Sequence, residues 1–164
     1  MGVNVNPNIL SLRYASSEMN YIFSRENQAR EEREWWLNVL KEQRELGMDV
    51  PEDAIEAYET VKNIIYFERI KEIELETKHD VMAKVMAYNE VASEISGKKY
   101  QELHQGMTSK DLTDNVDQIM IIDASKLVFG KYVSILNKFS QKAKEYDNII
   151  TTGRTHNQIA MATL

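Results

Sequence analysis

Apolar residues along most of the chain recur at the three- and four-residue spacing of helices, not in the alternation typical of half-buried strands. Serine before the first two helical segments, Pro51 before the third and glycine after two of them supply start and stop signals. The pattern predicts an irregular arm (1–15), helices over 18–23, 25–46 and from Pro51 to Val61, two helices that meet near Thr77 and end at Gly97, a loop (98–109) and a long helix from about Lys110 to Tyr146.

The helix over 25–46 has one apolar stripe, formed by Ala29, Trp36, Val39 and Leu40. Its charged residues, Glu31, Glu32, Arg33 and Lys41, are expected to form a face in water.

The long helix would exceed about 50 Å at roughly 1.5 Å per residue. Its segment 119–122 is apolar on more than one side, which predicts that other helices surround it. We expect neighbouring subunits or further C-terminal sequence to supply those helices. The last segment, 149–164, is typical of a turn leading into a new element that the chain does not complete.

Composition limits the fold class and the kinds of partner that we expect. The 164 residues, 43% hydrophobic and 28% charged, indicate a soluble protein with a real core, and only two prolines and six glycines favour an all-α fold. The net charge of −6 argues against nucleic-acid and membrane partners, although it permits a basic pocket for one phosphorylated ligand. The absence of cysteine excludes disulfides and thiolate chemistry. Neither a signal peptide nor a membrane span is evident, so we expect a cytoplasmic protein.

The turn that begins the long helix is the first candidate site. Thr108 and Asp111 have the spacing of a capping box, in which Thr108 accepts from a backbone N–H near Asp111 and Asp111 accepts from the Thr108 N–H. The hydroxyls of Thr108 and Ser109 at a helix N-terminus could also bind an anion. Helix capping alone is the alternative interpretation.

The three histidines, His79, His104 and His156, lie in polar segments where an imidazole could donate or accept a proton. A surface histidine without a role is the alternative for each. Metal binding is not favoured, because the sequence has no His-Glu-x-x-His run, and no glycine-rich phosphate loop is present. Arg13 beside Tyr14 could hold a phosphate through guanidinium and phenol donors.

Four motifs occur in order, the Arg-Tyr pair within 12–16, Lys-His-Asp within 76–81, Thr-Ser-x-Asp within 104–111 and Arg-Thr-His-x-Gln within 153–158. Together they resemble the N-terminal part of the adenylosuccinate lyase family, in the fumarase/aspartase superfamily, over the whole chain. The resemblance implies an N-terminal helical domain (1–108) followed by the first long helix of a central helical bundle (109–164). It also implies a homotetramer with shared active sites, a nucleotide substrate and no cofactor or metal.

The activity implied by the resemblance is elimination of fumarate from adenylosuccinate, giving AMP, and from the succinyl-carboxamide nucleotide SAICAR, giving AICAR. Thr108 and Ser109 would stabilise the carboxylate on which charge builds. His156 would be the general acid for the leaving nitrogen, with Thr155 contacting substrate beside it. Arg13 and Tyr14 would bind the phosphate, and His104 would line the nucleotide-phosphate side. His79, as a catalytic residue, and Asp80 would lie against the substrate and help orient the acid, and Lys78 and Gln158 would bind substrate.

Two departures from the family pattern are Lys78 in place of a common Arg, and Met161-Ala162 in place of Gln-Pro. The family's general base is a serine in a later part of the enzyme, so we expect this chain alone to be inactive. Two alternatives stay open. One is a related superfamily lyase or a carboxymuconate-type cycloisomerase, and the other is a non-catalytic helical module that assembles through its long helix.

Overall fold

A computed structural model describes residues 8–163, so residues 1–7 of the predicted arm lie outside the described part. Seven helices and one two-stranded sheet form within that part, and the predicted all-α class is confirmed. The elements are α1 (Ile9–Arg13), α2 (Ser17–Ile22), α3 (Arg25–Glu45), α4 (Glu52–Val61), α5 (Phe67–Thr77), α6 (Asp80–Ser96), α7 (Ser109–Tyr146), β1 (Thr151–Thr155) and β2 (Gln158–Thr163).

Side-chain caps set the starts of the early helices. Ser16 Oγ accepts from the Met19 N–H at 3.3 Å, and Ser24 Oγ accepts from the Asn27 N–H at 3.1 Å. The sequence predicts Ser16 or Ser17 as the first cap and Ser24 as the second, and the structure shows Ser16 and Ser24. The arm is not wholly irregular, however, because residues 9–13 form α1 behind an Asn8 cap.

The chain forms two compact units, with the boundary between Asp123 and Ala124 inside α7. The core of the first unit brings together α3, α4, α6 and the start of α7. Its fully buried apolar side chains come from all four helices and include Trp36, Leu37, Leu40, Tyr58, Val61, Val81, Tyr88, Leu112 and Val116. A smaller cluster packs α5 against α6 through Ile70, Ile73, Ala83 and Ala87.

Two charged residues of α3 are buried, which corrects the expectation that the whole charged face is solvated. Glu32 is 2% exposed, and its Oε1 accepts from Lys84 Nζ at 2.6 Å. Burial raises the pKa of Glu32 above its usual value, while the Lys84 ammonium acts in the opposite direction. The pair joins α3 to α6 next to the start of α6.

Arg33 is 3% exposed and binds the C-terminal end of α4. Its Nη1 donates to the carbonyls of Val61, Lys62 and Ile64 at 3.0, 3.3 and 2.6 Å, and its guanidinium lies 4.2 Å from the Tyr88 ring centroid. Burial lowers the pKa of Arg33 to about 10, so it stays charged at neutral pH. Its acceptors are carbonyls at and just after the end of α4, which the local sequence of α3 does not reveal.

The second unit contains the rest of α7 and a β-hairpin. β1 and β2 pair antiparallel, with Thr155 opposite Gln158. The two turn residues, His156 (φ 49°) and Asn157 (φ 64°), have the left-handed backbone of a type I′ turn. The expectation that no element forms after the turn is therefore wrong, because the strands pair within residues 151–163.

α7 exposes large apolar side chains along its length beyond the first unit. The most exposed are Phe129, Tyr132, Leu136 and Phe139, at 62% to 70%. Within residues 8–163, none of the helices is long and apolar enough to cross a membrane.

Candidate functional site

A cavity of about 360 Å³ lies in the first unit, where the start of α6, the loop before α7 and the start of α7 meet. Four of its lining residues are polar, namely His79, His104, Thr108 and Ser109, and all four were predicted from the sequence as site residues. The apolar part of the lining consists of Val81, Met82, Val85, Leu103 and Met107.

The loop over residues 98–108 is anchored to the core at several points. Tyr100 and Leu103 are buried, and the Glu102 N–H donates to the Tyr58 hydroxyl at 3.4 Å. Gln43 Nε2 donates to the Gln105 carbonyl at 2.9 Å. These contacts fix the backbone on both sides of His104, which has a φ of 68°.

His104 is half-buried against α3. The Trp36 indole N–H donates to His104 Nδ1 at 3.0 Å, and the two rings meet edge to face at 85°. Burial lowers the pKa of His104, the nearby Asp111 carboxylate opposes this effect, and His79 adds to it. His104 is therefore neutral at physiological pH.

His79 is both the N-cap of α6 and part of the cavity wall. Its Nδ1 accepts from the Met82 N–H at 3.2 Å. The preceding residue, Lys78, ends α5 in the left-handed conformation at φ 55°, which turns the chain sharply between the two helices. Asp80 is the first residue of α6, with Oδ1 3.9 Å from His79 Nδ1.

The α7 cap differs in one respect from the predicted capping box. Asp111 Oδ2 accepts from the Thr108 N–H at 2.7 Å, as predicted. The Thr108 hydroxyl, however, lies 3.2 Å from the same oxygen and donates to it, instead of accepting a backbone N–H. The reason is that an ionised carboxylate is a stronger acceptor for the hydroxyl proton than any group in the loop.

The other predicted site residues lie elsewhere. Arg13 and Tyr14 are exposed at the end of α1, with the guanidinium 5.8 Å from the Tyr14 ring centroid. Lys78 lines a different surface cavity, with Lys71, Glu74 and Leu75. Thr155, His156 and Gln158 are exposed on the hairpin of the second unit.

Sequence reasoning missed the role of Trp36. It counted Trp36 as one apolar residue of a stripe, whereas its indole N–H orients His104 from 68 residues away. Local periodicity carries no signal for such a contact. A tryptophan that needs a partner for its N–H when buried is the only hint the sequence offers.

Three of the four polar lining residues, His79, Thr108 and Ser109, lie at helix starts, where the backbone dipole favours negative charge, and His104 lies in the loop before α7. Such an arrangement can bind a carboxylate or phosphate oxygen. Among the described residues, no group of three or more His, Cys, Asp or Glu could hold a metal ion.

Solved structures of other proteins share the fold of this chain. The chain matches fumarate lyase from Mesorhizobium sp. BNC1 with a TM-score of 0.72 and 23% identity, over 90% of this chain and 34% of that one. It matches beta-carboxy-cis,cis-muconate cycloisomerase from Acinetobacter calcoaceticus sp. ADP1 with a TM-score of 0.79 and 18% identity, over 94% and 37%. At these identities the matches establish the fold alone.

Sequence comparison establishes the family. The family model described as "Lyase" matches residues 12–164, and the chain belongs to this lyase family. The predicted resemblance to the fumarase/aspartase superfamily is confirmed.

Curated relatives share a more specific name. Adenylosuccinate lyase of Schizosaccharomyces pombe is 37% identical over 157 residues, and that of Saccharomyces cerevisiae is 38% identical over 157 residues. Adenylosuccinate lyase of Methanocaldococcus jannaschii is 31% identical over 156 residues. The alignments cover 94% of this chain but only 32% to 33% of these relatives, so the chain spans about a third of their length.

Proposed function

We propose that this chain forms part of an adenylosuccinate lyase, which eliminates fumarate from adenylosuccinate to give AMP and from SAICAR to give AICAR. The observation that carries the proposal is the cavity lined by His79, His104, Thr108 and Ser109. Relatives named adenylosuccinate lyase support it over nearly the whole chain.

The chemistry explains why these side chains suit the reaction. Elimination removes a proton from the carbon beside a carboxylate and breaks the bond from the next carbon to nitrogen. Negative charge builds on the carboxylate before the nitrogen leaves. Fixed hydroxyl and N–H donors at the start of α7 would stabilise that charge more than the charge of the bound substrate. Thr108 and Ser109 take this role in the proposal, in which the Thr108 hydroxyl turns its proton from Asp111 Oδ2 to the substrate carboxylate.

His156 is the proposed general acid, which protonates the leaving nitrogen, with Thr155 and Gln158 contacting substrate beside it. In the hairpin, His156 is the first turn residue and is exposed. A side chain at the tip of a tight turn can reach a ligand held by other segments. Arg13 and Tyr14 are the proposed phosphate ligands, and both side chains are exposed.

The family resemblance also suggests roles for the remaining residues. His79 takes part in catalysis with Asp80, Lys78 contacts substrate, and His104 faces the nucleotide phosphate. The resemblance assigns the general base to a serine that this chain does not supply. We therefore expect the chain by itself to be inactive.

The proposed assembly is a homotetramer in which α7 is part of a helical bundle. The exposed Phe129, Tyr132, Leu136 and Phe139 support it, because their three- and four-residue spacing forms one apolar stripe on α7 that other helices would cover.

The test is His156→Asn in the complete enzyme, with adenylosuccinate turnover and circular dichroism as measurements. Asparagine suits the positive φ of a type I′ turn, so the hairpin should persist while the acid is lost. We expect kcat to fall by roughly 10² to 10⁴ with little change in the fold. His156→Ala should lose turnover equally, although alanine fits the turn less well. Near-normal turnover in His156→Asn would show that His156 is not the acid.

A further inference from the structure

The hydrogen bond between Trp36 and His104 determines which ring nitrogen of His104 carries a proton. A neutral imidazole has one N–H and one acceptor nitrogen. Trp36 is 2% exposed, and its indole N–H can only donate. Because it donates to His104 Nδ1 at 3.0 Å, the proton of the neutral ring must lie on Nε2.

Contacts around His104 restrict both its backbone and the rotation of its ring. The loop backbone is bound on one side through Glu102 to Tyr58 and on the other through Gln105 to Gln43. The edge-to-face packing on Trp36, with ring centroids 6.0 Å apart, limits rotation of the ring. A proton on His104 Nδ1 would point at the Trp36 indole N–H across the same 3.0 Å, and the two N–H groups would repel each other.

His79, which also lines the cavity, shows the same pattern. Its Nδ1 accepts from the Met82 N–H at 3.2 Å, so its neutral ring also carries the proton on Nε2. Both imidazoles are thus fixed through Nδ1 by the protein itself. Each keeps an N–H for a ligand.

We propose that Trp36 is a positioning residue, which holds His104 as the neutral Nε2–H form so that His104 offers a donor to an anionic oxygen of the ligand. His104 consequently binds a phosphate or carboxylate oxygen and does not accept a proton through Nε2. The ligand class rests on the proposed function, whereas the position of the ring proton does not.

The chain provides a matched control in the neighbouring residue. Trp35 is also partly buried against the core, but its Nε1 has no hydrogen-bond partner. Trp36→Phe and Trp35→Phe each remove one indole N–H and a similar apolar area. Only the first should change His104.

The experiment is ¹⁵N NMR of the protein labelled at histidine, without ligand and near neutral pH, with His104→Gln used to assign the His104 signals. We expect the wild type to show a protonated Nε2 and an unprotonated Nδ1 at His104. In Trp36→Phe, the ratio of the Nε2–H to the Nδ1–H form should fall by roughly threefold or more. Trp35→Phe should match the wild type.

Either of two results would overturn the proposal. One is a protonated Nδ1 at His104 in the wild type, which is decisive even if Trp36→Phe does not fold. The other is an unchanged ratio in a folded Trp36→Phe. Adding inorganic phosphate to the wild type then tests the ligand class separately, since a site for anionic oxygen should shift the His104 Nε2–H signal. An unmoved signal beside a fixed ring proton would refute the phosphate contact and leave the positioning role established.

Discussion

His79 serves both as a helix cap and as part of the cavity wall, and two substitutions can separate these roles. His79→Ala removes the acceptor for the Met82 N–H and the imidazole together. His79→Asn removes the imidazole but supplies an oxygen that can accept the same N–H, because asparagine is among the best N-cap residues. The comparison therefore isolates what the ring does beyond capping.

The size of the effect follows from the geometry of the cap. Loss of an N-cap typically costs about 0.5 to 2 kcal/mol. The His79 side chain is 54% exposed and its bond is 3.2 Å long, so water can replace much of the interaction. We expect His79→Ala to lower the free energy of unfolding by about 0.5 to 1 kcal/mol and His79→Asn to stay within about 0.5 kcal/mol of the wild type.

Urea denaturation followed by far-ultraviolet circular dichroism measures the first effect, and turnover of adenylosuccinate by the complete enzyme measures the second. If His79 contacts substrate, both variants should lose activity by a similar factor, roughly tenfold or more, despite their different stabilities. Equal stability of the two variants would refute the capping argument. Full activity in His79→Asn would refute the catalytic role of the imidazole.

Two further predictions concern pH and assembly. The pKa of His104 is lower in the folded chain than its usual 6.5, so below that pH the unfolded chain binds more protons and stability should fall as pH decreases. The wild type should therefore lose stability relative to His104→Gln as the pH falls below about 6.5, and a difference independent of pH would contradict the shift. Leu136→Glu places a charge at a side chain of α7 that is 65% exposed and should weaken the proposed oligomer in analytical ultracentrifugation, with Lys138→Glu as the control. An unchanged oligomer in Leu136→Glu would exclude that position from the interface.

Local chemistry made most of the helices predictable. The starts of α2 and α3 depend on serine side chains that bond to N–H groups three residues away, and α6 ends at Gly97 because glycine adopts φ 72° without strain. Such signals act over a few residues and can be read directly from the sequence.

The wrong prediction for the charged face of α3 concerns contacts between residues that are far apart in the sequence. Glu32 is buried because Lys84, 52 residues away, neutralises it, and Arg33 is buried because the end of α4 needs donors. A helical wheel treats both as surface charges. The failure to predict the hairpin has a different cause. Asn157 in a two-residue turn between threonine-rich segments is a local hairpin signal that could have been recognised.

The sequence singled out the four polar residues that line the cavity, but their chemical state depends on the fold. The sequence shows two histidines in polar segments, either of which could donate or accept a proton. Only the fold shows that Nδ1 of each ring already accepts an N–H, from Trp36 for His104 and from Met82 for His79. Tautomers are set by partners, and those partners belong to other turns and helices.

The tautomers of His79 and His104 explain why the cavity should stabilise negative charge but leave proton removal to another group. Its described polar lining offers imidazole N–H groups and hydroxyls, and it contains no carboxylate or lysine. Donors that favour a developing anion also lower the pKa of any base placed among them, since they stabilise its deprotonated state if it is a carboxylate and oppose its protonation if it is an imidazole. A site that concentrates donors is therefore a poor place for the group that must remove a proton from carbon. An elimination built on this cavity requires its base to come from a residue outside this lining.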